Sequence, residues 1–158
     1  MAAERSAALA ERYARIAEQL GDLFAATADP VARAATAAAL LHHKMPHFFW
    51  TGFYFLRDGD LVVGPYQGPL ACAVLAPRGT GVCWACVGRK EAVLVADVHA
   101  FAGHISCDSR SASEIVVPVL DRGGALAGVL DVDSDRPDAF SGDDVDGLAR
   151  IAGMIYGA

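Results

Sequence analysis

The sequence predicts an α+β domain on three observations. Apolar residues recur at helical spacing through roughly the first forty positions, the texture switches at Phe48 to short aromatic and β-branched runs, and helical patterning returns at Ser141. Residues 1–43 form the N-terminal helices, 48–134 the sheet and the loops that carry the chemistry, and 141–157 the C-terminal helix. At 158 residues the chain fits one domain around a single core.

Ala8, Leu9, Tyr13, Ile16, Leu20 and Leu23 fall near a 3.6-residue period among Glu and Arg with no internal proline, which predicts a helix over the first 28 residues. Asp29-Pro30 then reads as an N-cap followed by proline in the first turn of a helix running to about His43. Six strands are expected, at 48–56, 61–63, 70–75, 92–95, 115–120 and 125–132, with Asp58-Gly59 and Gly123-Gly124 as turn signals. Ser141-Gly142-Asp143-Asp144 opens the last helix, which ends near Tyr156.

Composition narrows the function classes. A net charge of −6 with dispersed basic residues argues against nucleic acid as a partner. No segment approaches the roughly 20 apolar residues that span a bilayer, so no membrane partner is expected. Glu4, Arg5, Glu11 and Arg12 leave no room for a signal-peptide apolar region, and the expected compartment is the cytoplasm. There disulfides are usually transient and catalytic, so the four cysteines lean towards redox chemistry or metal binding. Alanine-rich apolar helices at both ends are compatible with a homodimer.

Three cysteines sit in turn-like sequences: Ala71-Cys72, Gly81-Val82-Cys83 and His104-Ile105-Ser106-Cys107-Asp108-Ser109, the last followed by Ser113-Glu114-Ile115-Val116-Val117-Pro118. Thiols set among Gly, His and Ser point to chemistry more than to packing, although Cys72 alone, inside 70–75, reads as a small core hydrophobe. Asp131 and Asp133 are two apart on a predicted strand, so both leave the same face. Trp50, Phe53 and Tyr54 taken alone read as core residues of an aromatic strand. Asp131-Val132-Asp133-Ser134-Asp135 imitates the opening of a calcium loop, but Arg136 replaces the required Gly and Gly142 the required Glu.

Residues 50–134 resemble the free methionine-(R)-sulfoxide reductases built on a GAF domain. Trp50-Thr51-Gly52-Phe53-Tyr54, Gly64-Pro65-Tyr66-Gln67-Gly68, Gly79-Thr80-Gly81-Val82-Cys83, Gly103-His104-Ile105-Ser106-Cys107-Asp108-Ser109, Ser113 to Pro118 and Gly128-Val129-Leu130-Asp131-Val132-Asp133-Ser134 carry the resemblance. It implies a GAF-like fold, with a central antiparallel sheet of about six strands and the terminal helices packed on one face. It also implies the substrate, its R stereochemistry and recycling by thioredoxin or a similar dithiol, with no cofactor or metal. Where the family usually has Gly after the Gly-Val-Cys cysteine, this chain has Trp84-Ala85-Cys86, an additional thiol.

The chemistry such an activity needs matches residue types present here. A thiolate attacks the sulfoxide sulfur while an acid protonates its oxygen, and a second thiol condenses the resulting sulfenic acid into a disulfide. The resemblance implies Cys107 as attacking thiol, Cys72 as the main resolving thiol and Cys83 as a second resolving or relay thiol. Glu114 and Asp133 are the expected proton source, Asp131 the partner of the substrate ammonium, and Trp50 and Tyr54 the apolar wall for its S-methyl group. His104, three residues before Cys107, is either an aid to its ionisation or a loop residue that faces solvent or bonds to backbone. Two other classes compete: a structural zinc centre of the Cys3His type from Cys83-x-x-Cys86 and His104-x-x-Cys107, and a non-catalytic GAF sensor of a small ligand.

Overall fold

Helix α1 (Ala2–Phe24) buries Tyr13, Ile16, Ala17, Leu20 and Phe24, the stripe that the 3.6-residue period selects. The helix stops short of residue 28, and its buried face passes to Phe24 while Leu23 is exposed. Helix α2 (Pro30–Lys44) begins as its sequence dictates: the Asp29 carboxylate accepts from the Ala32 N–H at 2.8 Å and proline fills the first turn. The computed structural model describes residues 1–157.

Five strands, β1 (Trp50–Arg57), β2 (Asp60–Gln67), β3 (Val93–Val95), β4 (Ser113–Leu120) and β5 (Leu126–Ser134), form an antiparallel sheet in the order β2-β1-β5-β4-β3. The expected sixth strand at 70–75 is a loop touching β2 through one isolated bridge, Val62 to Val74. Beyond two backbone bonds to β2, Val63 N–H to Ala73 O and Leu75 N–H to Leu61 O, the carbonyls of Cys72 and Leu75, and of Pro69 just before the segment, go to aromatic side chains. Trp50 Nε1–H donates to Pro69 O, the Tyr54 hydroxyl to Cys72 O and Trp84 Nε1–H to Leu75 O, at 3.1, 3.3 and 2.8 Å. Backbone groups satisfied this way have no need of a ladder partner.

The two-residue period sorts the sheet into two faces. Phe53, Phe55, Ile115, Val117, Val119, Leu130 and Val132 pack with α1, α2 and α4 (Gly142–Met154) in one core. The opposite face carries Trp50, Tyr54, Val116 and Val129, covered by the short helix α3 (Val82–Arg89) and the loops on either side of it. The terminal helices thus share one face, as the sequence leads one to expect, and leave the other for the site. Buried Asp144 joins α1 to α4: it accepts from the Tyr13 hydroxyl at 2.7 Å and from the Ser141 N–H at 2.8 Å, closing a capping box. No helix among the described residues is long and apolar enough to cross a membrane.

Candidate active site

The face opposite the long helices bears a pocket lined by Trp50, Tyr54, Cys83, His104, Cys107, Glu114, Asp131 and Asp133, with Leu70, Leu75 and Ile105 among its apolar neighbours. Register explains the carboxyl cluster. Glu114 on β4 pairs with Asp133 on β5, and Asp133 pairs in turn with Trp50 on β1, so one transverse row delivers three of the expected residues. Asp131 is one step along the same face, opposite Gly52 and Val116.

Burial removes water from these carboxyls and holds all three well above the usual carboxylate range. For Glu114 the next cause is the neighbouring charge of Asp133, and for Asp131 that of Glu114. Asp133 is also raised by Asp131, while a hydrogen bond from Ser111 partly offsets the rise. One polar atom is left over: Asp131 Oδ1 is buried without a hydrogen-bond partner. A buried carboxylate oxygen without a donor is costly, and a cationic ligand group would satisfy it.

His104 turns inward. Its Nε2 lies 3.2 Å from Glu114 Oε2, with the side chain 13% exposed, so the solvent-facing alternative does not describe it. Burial lowers the imidazole pKa while Glu114 is raised, and both directions favour a pair in which each group is neutral. His104 therefore meets the acid of the pocket.

Cys107 lies on an exposed loop and Cys72 on the partly buried loop after β2; the two are joined as a disulfide with a Cα–Cα distance of 5.5 Å. That separation is in the ordinary range for such a bond. Cys83 and Cys86 are free and buried. Gly81 at φ +96° turns the chain into α3, which sets Cys83 in its first turn, facing the pocket. Burial, then the charges of Asp131 and Glu114, hold the Cys83 thiol well above its ordinary range; burial pushes Cys86 up to about 12. Cys86 is fully buried and packs in the core of this face as a small apolar residue. The Cys3His zinc set does not assemble, because the Cys107 sulfur is bonded to Cys72.

Trp50 and Tyr54 stack at 5.7 Å between ring centroids, and both line the pocket. Sequence reasoning passed over two contributors. Tyr66 stacks on Trp50 at 5.3 Å, and Ser111 supports Asp133. Tyr66 lies within the Gly64-Pro65-Tyr66-Gln67-Gly68 segment, which was the available signal, whereas nothing local marked Ser111.

Comparison with known proteins agrees with this geometry. A family model for the GAF domain matches residues 25–155. The free methionine-R-sulfoxide reductase of Escherichia coli is 39% identical over 145 residues, covering 92% of this chain and 87% of that protein. The structure of free methionine-R-sulfoxide reductase from Neisseria meningitidis in complex with its substrate superposes with a TM-score of 0.87 at 38% identity, over 93% of this chain and 87% of that one. A substrate complex from Staphylococcus aureus gives 0.84 at 37% identity, over 91% and 93%. Matching residues, fold and pocket together, the chain belongs to the GAF-domain family of free methionine-R-sulfoxide reductases.

Proposed function

We propose that this protein reduces free methionine-R-sulfoxide to methionine, with Cys107 as the attacking thiol, Cys72 as the resolving thiol and thioredoxin or a similar dithiol as reductant. The observation that carries this reading is the Cys72–Cys107 bond at a pocket whose sheet side presents Glu114, Asp131 and Asp133. This is the oxidised state expected between oxygen transfer and recycling.

In the reduced protein the Cys107 thiolate attacks the sulfoxide sulfur. A carboxyl of the Glu114–Asp133 pair, kept protonated by burial and by its neighbour, gives its proton to the sulfoxide oxygen as the S–O bond weakens. Oxygen passes to Cys107 as a sulfenic acid and methionine leaves. The Cys72 thiol then attacks that sulfur, expelling water and forming the disulfide, which the external dithiol returns to two thiols. Exposure of Cys107 suits that last exchange.

Asp131 serves the ammonium group, since its unpartnered Oδ1 is a ready acceptor for an N–H donor. Trp50 and Tyr54 supply apolar surface for the S-methyl group. Cys83 is less suited to relaying oxidation than Cys72, because burial and its acidic neighbours keep it as a thiol.

The test is single-turnover release of methionine from the free R-sulfoxide by pre-reduced protein. Cys107→Ser should release none, and Cys72→Ser should complete the first turnover yet fail to recycle with thioredoxin. Release by Cys107→Ser alongside none by Cys83→Ser would reverse the assignment.

A further inference from the structure

The pocket floor brings together donor types that the reaction does not need in combination. Cys83 Sγ, a Glu114 oxygen and an Asp131 oxygen all lie within 4.8 Å of one another, on residues that are each buried. Cys83 is a free thiol, and Asp131 Oδ1, on a side chain 6% exposed, has no hydrogen-bond partner. We propose that this floor is also a binding site for a divalent cation of the zinc class, held by Cys83, Glu114 and Asp131, and that its occupancy excludes the substrate ammonium.

Three arguments support the assignment. A dication would balance the charge that Glu114 and Asp131 take on when they ionise together, and would give Asp131 Oδ1 the electrostatic partner it lacks. The sulfur selects the metal, because a thiolate with two carboxylates suits zinc and its first-row neighbours, whereas magnesium and calcium take oxygen ligands. Zinc–sulfur and zinc–oxygen bonds of about 2.3 and 2.0–2.2 Å require the three ligands to close by small side-chain rotations, and three protein ligands leave a fourth position open. Uptake of the ion breaks the Cys83 S–H bond and releases that proton to solvent, together with any proton on the two carboxyls. Affinity therefore rises with pH.

Metal binding does not depend on the proposed reductase activity; only the competition with substrate does. The oxidised full chain is the convenient form for a test, because its disulfide leaves Cys83 and Cys86 as the only thiols. Titration with cobalt(II) should give one equivalent of a thiolate-to-cobalt charge-transfer band in the near ultraviolet, displaced by zinc. Cys83→Ala should abolish the band, Asp131→Asn should weaken cobalt binding at least tenfold, and Cys86→Ala should retain it, with melting curves establishing that each variant is folded. Excess free methionine sulfoxide should displace the cobalt. No band in the oxidised protein, a band surviving in Cys83→Ala or one lost in folded Cys86→Ala would overturn the site. A band that resists the sulfoxide in protein shown to reduce it would overturn the competition. Failure of reduction in every assay would undo the functional reading and leave the cobalt titration interpretable.

Discussion

Glu114 and Asp133 stand directly opposite each other on β4 and β5, two carboxyls paired across the sheet on the face that bears the pocket. Like charges in such positions destabilise a sheet, and burial increases the cost. The fold carries this arrangement at the pocket, where the proposed reaction calls for a protonated carboxyl.

Removing that acid while keeping its shape should slow the chemical step. Glu114→Gln or Asp133→Asn is expected to lower single-turnover methionine release by roughly 100-fold or more, the usual weight of acid catalysis. Asp131→Asn should act mainly on KM, through loss of the ammonium partner. Equal, small effects from all three in steady-state kinetics would mean that the cluster only binds.

The same substitutions should stabilise the protein. The folded-state pKa values of Glu114 and Asp133 are raised, so above the ordinary carboxylate value the native state binds more protons than the unfolded chain, and stability falls as pH rises towards the raised values. Asp133→Asn or Glu114→Gln removes that loss. Thermal melts should show a higher Tm than the parent at pH 7, with the gain shrinking towards zero below about pH 4, where both states of the parent are protonated. A gain that is independent of pH would place its origin elsewhere.

Far from the pocket, Tyr13→Phe should cost about 1–3 kcal/mol, because the deletion takes a donor from buried Asp144. Asp144 keeps a carboxyl pKa below its ordinary value even though burial opposes this, through hydrogen bonds from His47, Tyr13 and the Ser141 N–H. A depressed pKa supplies stability above the unfolded value that is lost as pH falls through the folded one. The Tyr13→Phe deficit, read by urea unfolding, should therefore narrow on acidification, with sulfoxide reduction unchanged at temperatures where the variant is folded.

Cys86→Ala should leave thioredoxin-coupled turnover within about twofold of the parent and cost about 1 kcal/mol, the scale of a small core cavity. Cys86 is fully buried, so it has no route to an external reductant. A large loss of recycling, with intact single-turnover chemistry, would show that Cys86 relays oxidation to the reductant.

Local rules made much of this molecule legible. Asp29-Pro30 announced a capped helix, and the period of two put Asp131 and Asp133 on one face. These features depend on neighbours a few residues away, and such interactions are written into the chain. Segment 70–75 has the composition of a strand, yet Tyr54 and Trp84, from distant elements, take the carbonyls of Cys72 and Leu75, and Trp50 that of Pro69 just before it. Placement of Glu114 against Asp133, rotation of His104 onto Glu114, and the meeting of Cys72 with Cys107 across 35 residues all rest on strand register and loop closure. Residue types and their spacing nominated the participants, with family resemblance suggesting the pairing. Which atoms face one another was decided by packing, because burial and register act only once distant segments have come together.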